Sequence, residues 1–518
     1  MTHLPSKTSV DPTPRRSYGV VVSVLLTLII SLAAFVRLYA IGSAPLWIDE
    51  FLTLEILNGY GQVHQRLVRD ELILAPPALT VPASQGPWQG IWSSSGGDTH
   101  PPLYYHALRL WRDWTGNSET ALRTLSVICS LAAVLLTFAI VRGHFGTSAA
   151  LWAALLMAVA SSQIRYAQEA RGYAMAQLFM LLAIWSSTRI ARDPPAWRWA
   201  GVLALSTLAT LFTNYLAVLP LIALGLWTLF YERGLARRVT VGVLLATALI
   251  FGLLWIPMLV EQYRYKVVET WLTTDPSDHI SLTFWRFFAL PIQLLGRTTS
   301  DSRAYAAGAA VVFVLPILLF RKNPCLLFYT LWLMAGTVPI LLIDLISNRT
   351  HLLVTRYFLS VSPAVCVLMA GLLSYRSGMI KHLLPACASL YAVLSIQQAY
   401  VNREADWRRF AVTMHAESSP GQVVAFASDP GSGWADVVYV GCSHYLGQFP
   451  GPVLLLSKPP GPTLLSDLER RGPMWIVLDS TEPLIPALFP AWTIRQSHLL
   501  TGVGMLHEIT PPVISVKD

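Results

Sequence analysis

The chain has 518 residues, of which 54% are hydrophobic and 13% are charged, and its mean hydropathy is +0.51. A water-soluble globular protein could hardly carry this composition, so the sequence indicates an integral membrane protein. The formal net charge is +8 at pH 7. Much of that excess lies at predicted cytoplasmic membrane edges, so topology explains it better than a nucleic-acid partner would.

Eleven apolar stretches are long enough, or nearly long enough, to cross a hydrocarbon core that takes about 20 helical residues. They are residues 18–40, 121–141, 148–164, 172–190, 198–214, 216–231, 240–260, 304–320, 325–345, 357–374 and 380–398. The first stretch is too long for a removable signal peptide and lacks its cleavage site, so we expect it to remain as an anchor.

Basic residues mark the loops that stay on the cytoplasmic side. They fall before the first span and in alternate loops: Lys7, Arg15, Arg16, Arg142, Arg189, Arg192, Arg198, Arg233, Arg237, Arg238, Arg321, Lys322, Arg376 and Lys381. We therefore predict a cytoplasmic N-terminal tail over residues 1–17 and an extracytoplasmic C-terminus.

Four parts of the chain collect on the outer side in this topology: residues 41–118, the turn at 163–172, residues 261–303 and the tail after about 400. A loop as long as 41–118 is usually functional or disordered. The apolar stretch 282–297 is short and is broken by Pro291, which predicts a re-entrant or interfacial segment.

The tail changes in composition toward a soluble α/β unit. A candidate helix at 407–416 is followed by the short apolar runs "QVVAF", "PVLLLS", "MWIVLD" and "GVGMLHEI", which predict strands. The predicted domains are thus residues 18–400 in the membrane, including the external loop 41–118, and residues 401–518 as a small extracytoplasmic α/β domain.

Two adjacent carboxylates, Asp49 and Glu50, stand in the apolar run "APLWIDEFLTLEI" just after the first span. Surface acids are common, and these two could merely be solvated. Adjacent helical residues point about 100° apart, however, so the two carboxylates cannot serve one purpose. One of them can face a cavity while the other braces the loop.

Basic residues occur at three further outer positions. His100 in "DTHPPLYY" precedes a predicted helix N-terminus, where free N–H groups favour an anion. Arg171 lies in an outer loop that needs no positive charge for orientation. Arg356 stands at the outer entrance of the tenth span, where the helix dipole opposes a cation and an anionic partner would offset it. A solvated histidine and a snorkelling arginine are the structural alternatives.

The segment "SQIRYAQEARGYA" joins the third and fourth spans. If the helix continues, Arg165, Glu169 and Tyr173 share one face, and the simplest structural interpretation is an ion pair that caps a span. Asp275, Asp278, His279 and Asp301 in the third outer stretch form only a weak cation-ligand pattern. The sequence therefore requires no cofactor and leaves a divalent cation open.

A carboxylate pair, several basic groups and many aromatic residues on one aqueous side of a helical bundle are what a membrane-embedded group transferase needs. The carboxylate accepts a proton from an acceptor hydroxyl, while arginine and histidine stabilise charge on a phosphate leaving group.

The motifs "LWIDE", "THPPLYY", "YAQEARGYA" and "TRYFLSVSPA" occur in this order in the chain. They resemble bacterial members of glycosyltransferase family 39, which has the GT-C fold and is similar to protein O-mannosyltransferases and to lipid A aminoarabinose and galacturonic-acid transferases. The resemblance covers nearly all of residues 15–400. For the tail it is weaker and depends on "ADWRRF" and "SPGQVVAF".

The resemblance implies a polyprenyl-phosphate-linked sugar as donor and inverting transfer to an acceptor hydroxyl on the outer face of a bacterial inner membrane. Asp49 matches the family's catalytic acidic position, which implies that it is the general base, and Glu50 would complete the catalytic pair by supporting the loop or the acceptor. Related transferases carry a lysine where this chain has His100, which can be neutral at pH 7, so phosphate binding there would be weaker or pH-dependent.

The resemblance also assigns the other candidate residues. Arg356 and Arg171 would hold the donor phosphate, and Glu169 would orient an arginine or the acceptor. Arg165 and Tyr357 complete the set as supporting residues.

Two other classes of protein remain open. A transporter or flippase of lipid-linked sugars would share the bundle, yet it would need ionisable groups or broken helices near mid-membrane. An envelope-binding protein could use the tail, but it gives no reason for the motifs of the first loop. The sugar, the carrier length and the acceptor are not specified by the sequence.

Overall fold

The computed structural model describes residues 13–82, 85–94, 100–190, 192, 196–264, 279–296, 312–319, 323–401, 405–428, 434–478 and 484–512. Over these residues the chain forms a helical bundle, with a six-stranded sheet toward the C-terminus.

The chain begins with α1 and passes through the helices of residues 41–118, the loop predicted to be outer, before it enters the long apolar helices. The helices up to the third outer stretch are α1 (Thr13–Leu38), α2 (Ile48–Glu55), α3 (Trp88–Ser93), α4 (Leu103–Thr115), α5 (Glu119–Val159), α6 (Ser161–Ala167), α7 (Tyr173–Ile190), α8 (Ala196–Leu211), α9 (Val218–Tyr231) and α10 (Gly234–Arg264). The later helices of the bundle are α11 (His279–Gly296), α12 (312–319), α13 (Cys325–Ser347), α14 (Ser362–Gly371) and α15 (Ile380–Leu394).

Helical residues occur in each of the eleven predicted spans. By length and composition, four helices of the described chain could cross a membrane: Tyr18–Leu38, Glu119–Val159, Gly234–Arg264 and Cys325–Ser347. Further apolar helices are shorter, so the number of spans stays a prediction. One expectation was wrong in detail, because α11 is a single helix that continues through Pro291.

Helix α5 contains the predicted span 121–141 and most of the predicted span 148–164. A straight helix of its 41 residues would be about 60 Å long, twice a hydrocarbon core. It bends at Gly146, whose φ of 83° is accessible at low cost only without a Cβ. The buried Arg37 of α1 donates to Ser130 on the first arm and to the carbonyls of Met157 and Ala158 on the second. The two arms therefore lie side by side.

The C-terminal sheet has the strand order β1-β3-β2-β4-β6-β5. The strands are β1 (Leu72–Ile73), β2 (Val424–Ala427), β3 (Val453–Leu456), β4 (Met474–Leu478), β5 (Thr493–Leu500) and β6 (Gly504–Thr510). β2 is parallel to β3 and β4, whereas the edge strands β1 and β5 pair antiparallel to their neighbours. Helices α16 (Trp407–Glu417), α17 (Trp434–Leu446), α18 (Pro462–Arg471) and α19 (Leu484–Leu488) accompany the sheet.

The four predicted strand segments coincide with β2, β3, β4 and β6. β1 comes from the first outer loop, so this loop and the tail share one sheet. They also share a hydrophobic core, in which Phe51 of α2 packs against the rings of Trp407, His444 and Tyr445. This packing fixes α2, the helix that carries the two carboxylates, between the tail and the bundle.

Candidate active site

Asp49 lies in the first turn of α2, which starts after Trp47. The backbone N–H of Trp47 donates to the Glu50 carboxylate at 3.1 Å, so Glu50 caps its own helix. The Asp49 side chain points the other way and is 21% exposed. Its carboxylate oxygen lies 3.6 Å from an Nη of Arg356. Of the two adjacent acids, Asp49 is therefore the one that lies beside Arg356, in the cluster of basic residues formed by Arg356, Arg171 and His100.

Glu50 is fully buried and is held on several sides. The guanidinium of Arg123 on α5 binds both of its carboxylate oxygens, at 2.9 and 2.7 Å. The backbone N–H of Ala170 adds a bond at 2.8 Å. Bidentate pairing of this kind fixes orientation as well as charge. The geometry thus favours a bracing role for Glu50, which joins α2 to α5 and to the turn before α7, over direct contact with a substrate.

Arg171 lies in that same turn and is buried, with 6% of its surface exposed. Its Nη1 donates to the backbone carbonyl of Asp49 at 3.2 Å and to the hydroxyl of Thr53 at 2.9 Å. Its Nη2 lies 3.3 Å from Nδ1 of His100. The arginine therefore joins the first and second sequence motifs at one point.

His100 precedes α4 by a short turn, as predicted. Burial, followed by the positive charges of Arg171 and Arg356, holds the pKa of His100 well below its usual range. The imidazole is consequently neutral at pH 7 and acts as a hydrogen-bonding group instead of a cation.

Arg356 belongs to a short 3₁₀-helix, Thr355–Phe358, that precedes α14. The sequence predicted that Arg356 stands at an α-helix N-terminus, but α14 starts only at Ser362. The argument from the helix dipole was therefore wrong for this residue. Its guanidinium lies 5.3 Å from the ring centre of Trp47 and 5.8 Å from that of Tyr357. Burial alone would lower the pKa of Arg356, but the Asp49 carboxylate and nearby tyrosines raise it above its usual range. The group is a permanent cation beside Asp49.

The segment with Arg165 and Glu169 differs from the prediction. Helix α6 ends at Ala167 and α7 starts at Tyr173, so the three residues do not share one helical face. The expected ion pair is present, with Arg165 Nε 3.4 Å from Glu169 Oε1. A small cavity of about 40 Å³ is lined by this pair together with Trp47 and Glu50. Arg165 and Glu169 thus line a cavity next to the site, which they share with Trp47 and Glu50.

Sequence reasoning missed two residues that shape the site. Trp47 packs on Arg356, and its indole N–H is buried without a hydrogen-bond partner in the part of the chain that the structure describes. Arg123 looks like an ordinary arginine at a span end, and only the fold shows that it binds Glu50. For Trp47 a signal was available, since it lies inside the first motif, two residues before Asp49.

A metal site is not evident from these residues. Within the described ranges, no group of three or more His, Cys, Asp or Glu residues could hold a metal ion. Asp275, Asp278 and Asp301, which the sequence offered as weak ligands, lie outside the described residues.

The site combines one partly exposed carboxylate, two buried or half-buried arginines and a neutral histidine, with aromatic rings beside them. A carboxylate next to two cations can accept a proton close to a place where negative charge is stabilised. The flanking rings of Trp47 and Tyr357 offer flat apolar faces of the type that pack on sugars. The arrangement suits a transfer reaction in which an acceptor hydroxyl gains a chemical group and an anionic leaving group is released.

Known proteins resemble this chain in part of its sequence and in its fold. Residues 99–259 match the family model described as dolichyl-phosphate-mannose-protein mannosyltransferase. None of the curated proteins matches the chain in sequence.

Solved structures resemble the chain over most of its length. ArnT from Cupriavidus metallidurans in the apo state is 14% identical, with a TM-score of 0.58 over 93% of this chain and 97% of that one. The same protein bound to undecaprenyl phosphate gives a TM-score of 0.55 at the same identity and coverage. AglB, the archaeal oligosaccharyltransferase from Archaeoglobus fulgidus, is 10% identical with a TM-score of 0.49, over 88% of this chain and 69% of that one. The resemblance carried by the four sequence motifs is confirmed, and the chain has the GT-C fold seen in ArnT.

Proposed function

We propose that this protein is a membrane glycosyltransferase that moves a sugar from a polyprenyl-phosphate carrier to an acceptor hydroxyl on the outer face. The observation that carries the proposal is the 3.6 Å approach of Asp49 to Arg356, with Arg171 bonded to the same helical turn. The candidate base Asp49 and two arginines suited to binding phosphate, Arg356 and Arg171, therefore lie close together. The undecaprenyl phosphate bound by ArnT and the description of the matching family model support a lipid-phosphate donor.

The reaction follows from these positions. Asp49 accepts the proton of the acceptor hydroxyl while the hydroxyl oxygen bonds to the anomeric carbon of the sugar. The bond from that carbon to the phosphate oxygen breaks, and its electron pair leaves with the polyprenyl phosphate. Arg171 and Arg356 stabilise the charge that develops on the leaving phosphate. Attack on the face opposite the leaving group inverts the configuration at the anomeric carbon.

The other candidates have supporting roles in this proposal. Glu50 fixes the first turn of α2 through Arg123, so that Asp49 keeps its direction. Neutral His100 and the ring of Tyr357 help to orient the donor, while Arg165 and Glu169 support the turn behind it. The proposal keeps the predicted topology, with eleven spans in a bacterial inner membrane, a cytoplasmic N-terminus and an extracytoplasmic C-terminal unit.

The test is transfer in membranes with a panel of radiolabelled polyprenyl-phosphate sugars. We expect label to move to an acceptor with the wild type and transfer to fall at least 100-fold in Asp49→Asn, since loss of a general base costs about 10²–10⁴ in rate. Asp113→Asn is the matched control, because Asp113 is an exposed acid of the same outer loop. Wild-type turnover by Asp49→Asn would refute Asp49 as the base.

The same assay separates the transferase from a transporter or flippase. A transporter would bind the donor and carry it across the bilayer without cleaving it, and it would be indifferent to Asp49→Asn. Donor that crosses intact in both proteins, with no labelled acceptor, would replace the transferase proposal with the transporter.

A further inference from the structure

A cavity of about 370 Å³ lies in the bundle, away from the Asp49 cluster. It opens between α5 and α7, and three arginines line it: Arg142 on α5, Arg189 near the end of α7, and Arg192 just beyond it. Nothing in the proposed reaction uses this cavity. Its volume falls in the range of small-molecule sites.

The cavity lies at the end of the bundle opposite the candidate active site. Arg123, which holds Glu50, and Arg142 are on the same arm of α5, before its kink at Gly146. At 1.5 Å per residue the helix rises about 28 Å between them, close to the thickness of a hydrocarbon core of about 30 Å. The predicted topology places this end of the bundle on the cytoplasmic side.

The lining combines charged side chains with an apolar side made of aliphatic and aromatic groups. Phe138 and Ile140 contribute apolar surface, whereas the three arginines and the hydroxyl of Thr188 contribute polar surface. None of the described residues that line the cavity is acidic. Glu232 lines a separate cavity that shares only Thr188 with this one. Three arginine side chains therefore line one cavity, and no acidic side chain is among its lining in the described part of the chain.

The three arginines differ in exposure: Arg142 and Arg192 are exposed, whereas Arg189 is half-buried and packs on tryptophan rings. The guanidinium of Arg189 lies 4.9 Å from the ring centre of Trp185 and 5.9 Å from that of Trp199, and the two indoles meet edge to face. A Cβ on Gly143 would stand 2.8 Å from an Nη of Arg192, so the glycine leaves room for this side chain against α5. Tryptophans in this position are typical of the membrane–water interface.

We propose that this cavity binds the phosphate group of an anionic membrane lipid at the cytoplasmic leaflet, with the acyl chains along the apolar side. Guanidinium groups match phosphate oxygens in geometry and charge, and basic pockets between membrane helices on the cytoplasmic side bind lipid headgroups. Loop arginines retained for orientation alone would not need a shared cavity. The inference goes beyond the proposed reaction and does not depend on it.

The test is binding of phosphatidylglycerol to the purified full-length protein, measured by native mass spectrometry, with phosphatidylcholine and inorganic phosphate as comparison ligands. Each arginine near a membrane surface changes the affinity for anionic lipid by about fivefold, so Arg142→Gln with Arg192→Gln should weaken phosphatidylglycerol binding roughly 30-fold. The matched control is Arg237→Gln with Arg238→Gln, two exposed arginines of α10 that do not line the cavity. We expect the control to retain wild-type binding.

Equal binding of phosphatidylcholine, or an equal loss in the control variant, would overturn the proposal. Displacement of the lipid by inorganic phosphate at comparable concentration would show that the cavity takes a free anion and would overturn the lipid assignment. If the double variant does not fold, Arg142→Gln alone should weaken phosphatidylglycerol binding about fivefold.

Discussion

The Asp49 carboxylate lies 3.6 Å from the Arg356 guanidinium, although one residue follows the first span and the other precedes a late one. The fold thus places the candidate base and an arginine that is a candidate to bind phosphate close enough to contact the same sugar phosphate. A sugar phosphate bound at Arg356 would present its anomeric carbon close to Asp49. In the proposed reaction, this contact couples binding of the donor to activation of the acceptor.

Arg356→Gln should weaken donor binding roughly 10- to 100-fold, because a hydrogen bond to a charged group contributes about 1.5–3 kcal/mol. Arg356→Lys should restore part of the loss, since a lysine keeps the charge but not the planar fork. The measurement is the dissociation constant of a polyprenyl-phosphate sugar. Arg66→Gln is the control, because Arg66 is an exposed arginine of the loop 41–118 that donates to the Tyr60 carbonyl. Unchanged donor affinity in Arg356→Gln would remove its phosphate role.

Glu50→Gln should destabilise the protein by about 3–5 kcal/mol, because it leaves the buried charge of Arg123 without its partner. The measurement is the unfolding temperature in detergent. Asp467→Asn, which breaks an exposed ion pair with Arg471, should cost less than about 1 kcal/mol. A variant with full stability but no transfer would instead assign Glu50 a direct part in the chemistry.

The His100 imidazole should make stability pH-dependent on the acid side. Its pKa is lowered in the folded state, so the unfolded chain binds more protons once the pH falls below about 6.5. The free energy of unfolding therefore decreases as the pH falls below about 6.5, by up to about 1.4 kcal/mol per pH unit. Above that pH, His100 does not change it. His100→Gln should flatten that part of the curve of unfolding temperature against pH.

His415→Gln is the control for this experiment, since His415 is an exposed residue of α16. It should leave the acid limb of the stability curve as in the wild type. An acid limb that is equally steep in His100→Gln would mean that other groups cause it.

The sequence predicted the members of the site better than their arrangement. Asp49, His100, Arg171 and Arg356 each stand in a local motif with a physical reason to be noticed, and the structure brings these four together. Their mutual contacts join segments distant in the chain, which no local pattern encodes. The ion pair of Glu50 was hidden for the same reason, since Arg123 stands in an apolar helix with no local sign of its partner.

For the fold as well, some elements were predictable from the sequence and others were not. Long apolar stretches and the strands "VAFA", "VLLL" and "MWIVL" were predictable because they are continuous buried runs. β5, "TIRQSHLL", was missed because it is an edge strand with mostly exposed and partly polar side chains. β1 was missed because two residues carry too little pattern, and its pairing with β3 depends on the tail.

The contact between the C-terminal unit and α2 predicts that the tail helps to position Asp49. The hydroxyl of Tyr445 accepts a hydrogen bond from the Leu46 N–H at 2.8 Å and donates to Glu119 at 2.9 Å. Arg408 donates to the same Glu119 oxygen at 2.7 Å and to the carbonyl of Ser43 at 2.9 Å. These bonds hold the segment that leads into α2, a few residues before the candidate base.

Tyr445→Phe should therefore lower kcat about five- to tenfold while KM for the donor stays near the wild-type value. It removes two hydrogen bonds worth about 1 kcal/mol each, and a small displacement of a catalytic group reduces rate more than binding. Arg408→Gln should act in the same direction. Arg495→Gln, at an exposed side chain of β5 that pairs with Glu508, is the control. If kcat falls only in proportion to the folded fraction, or falls equally in the control, the tail stabilises the protein without positioning Asp49.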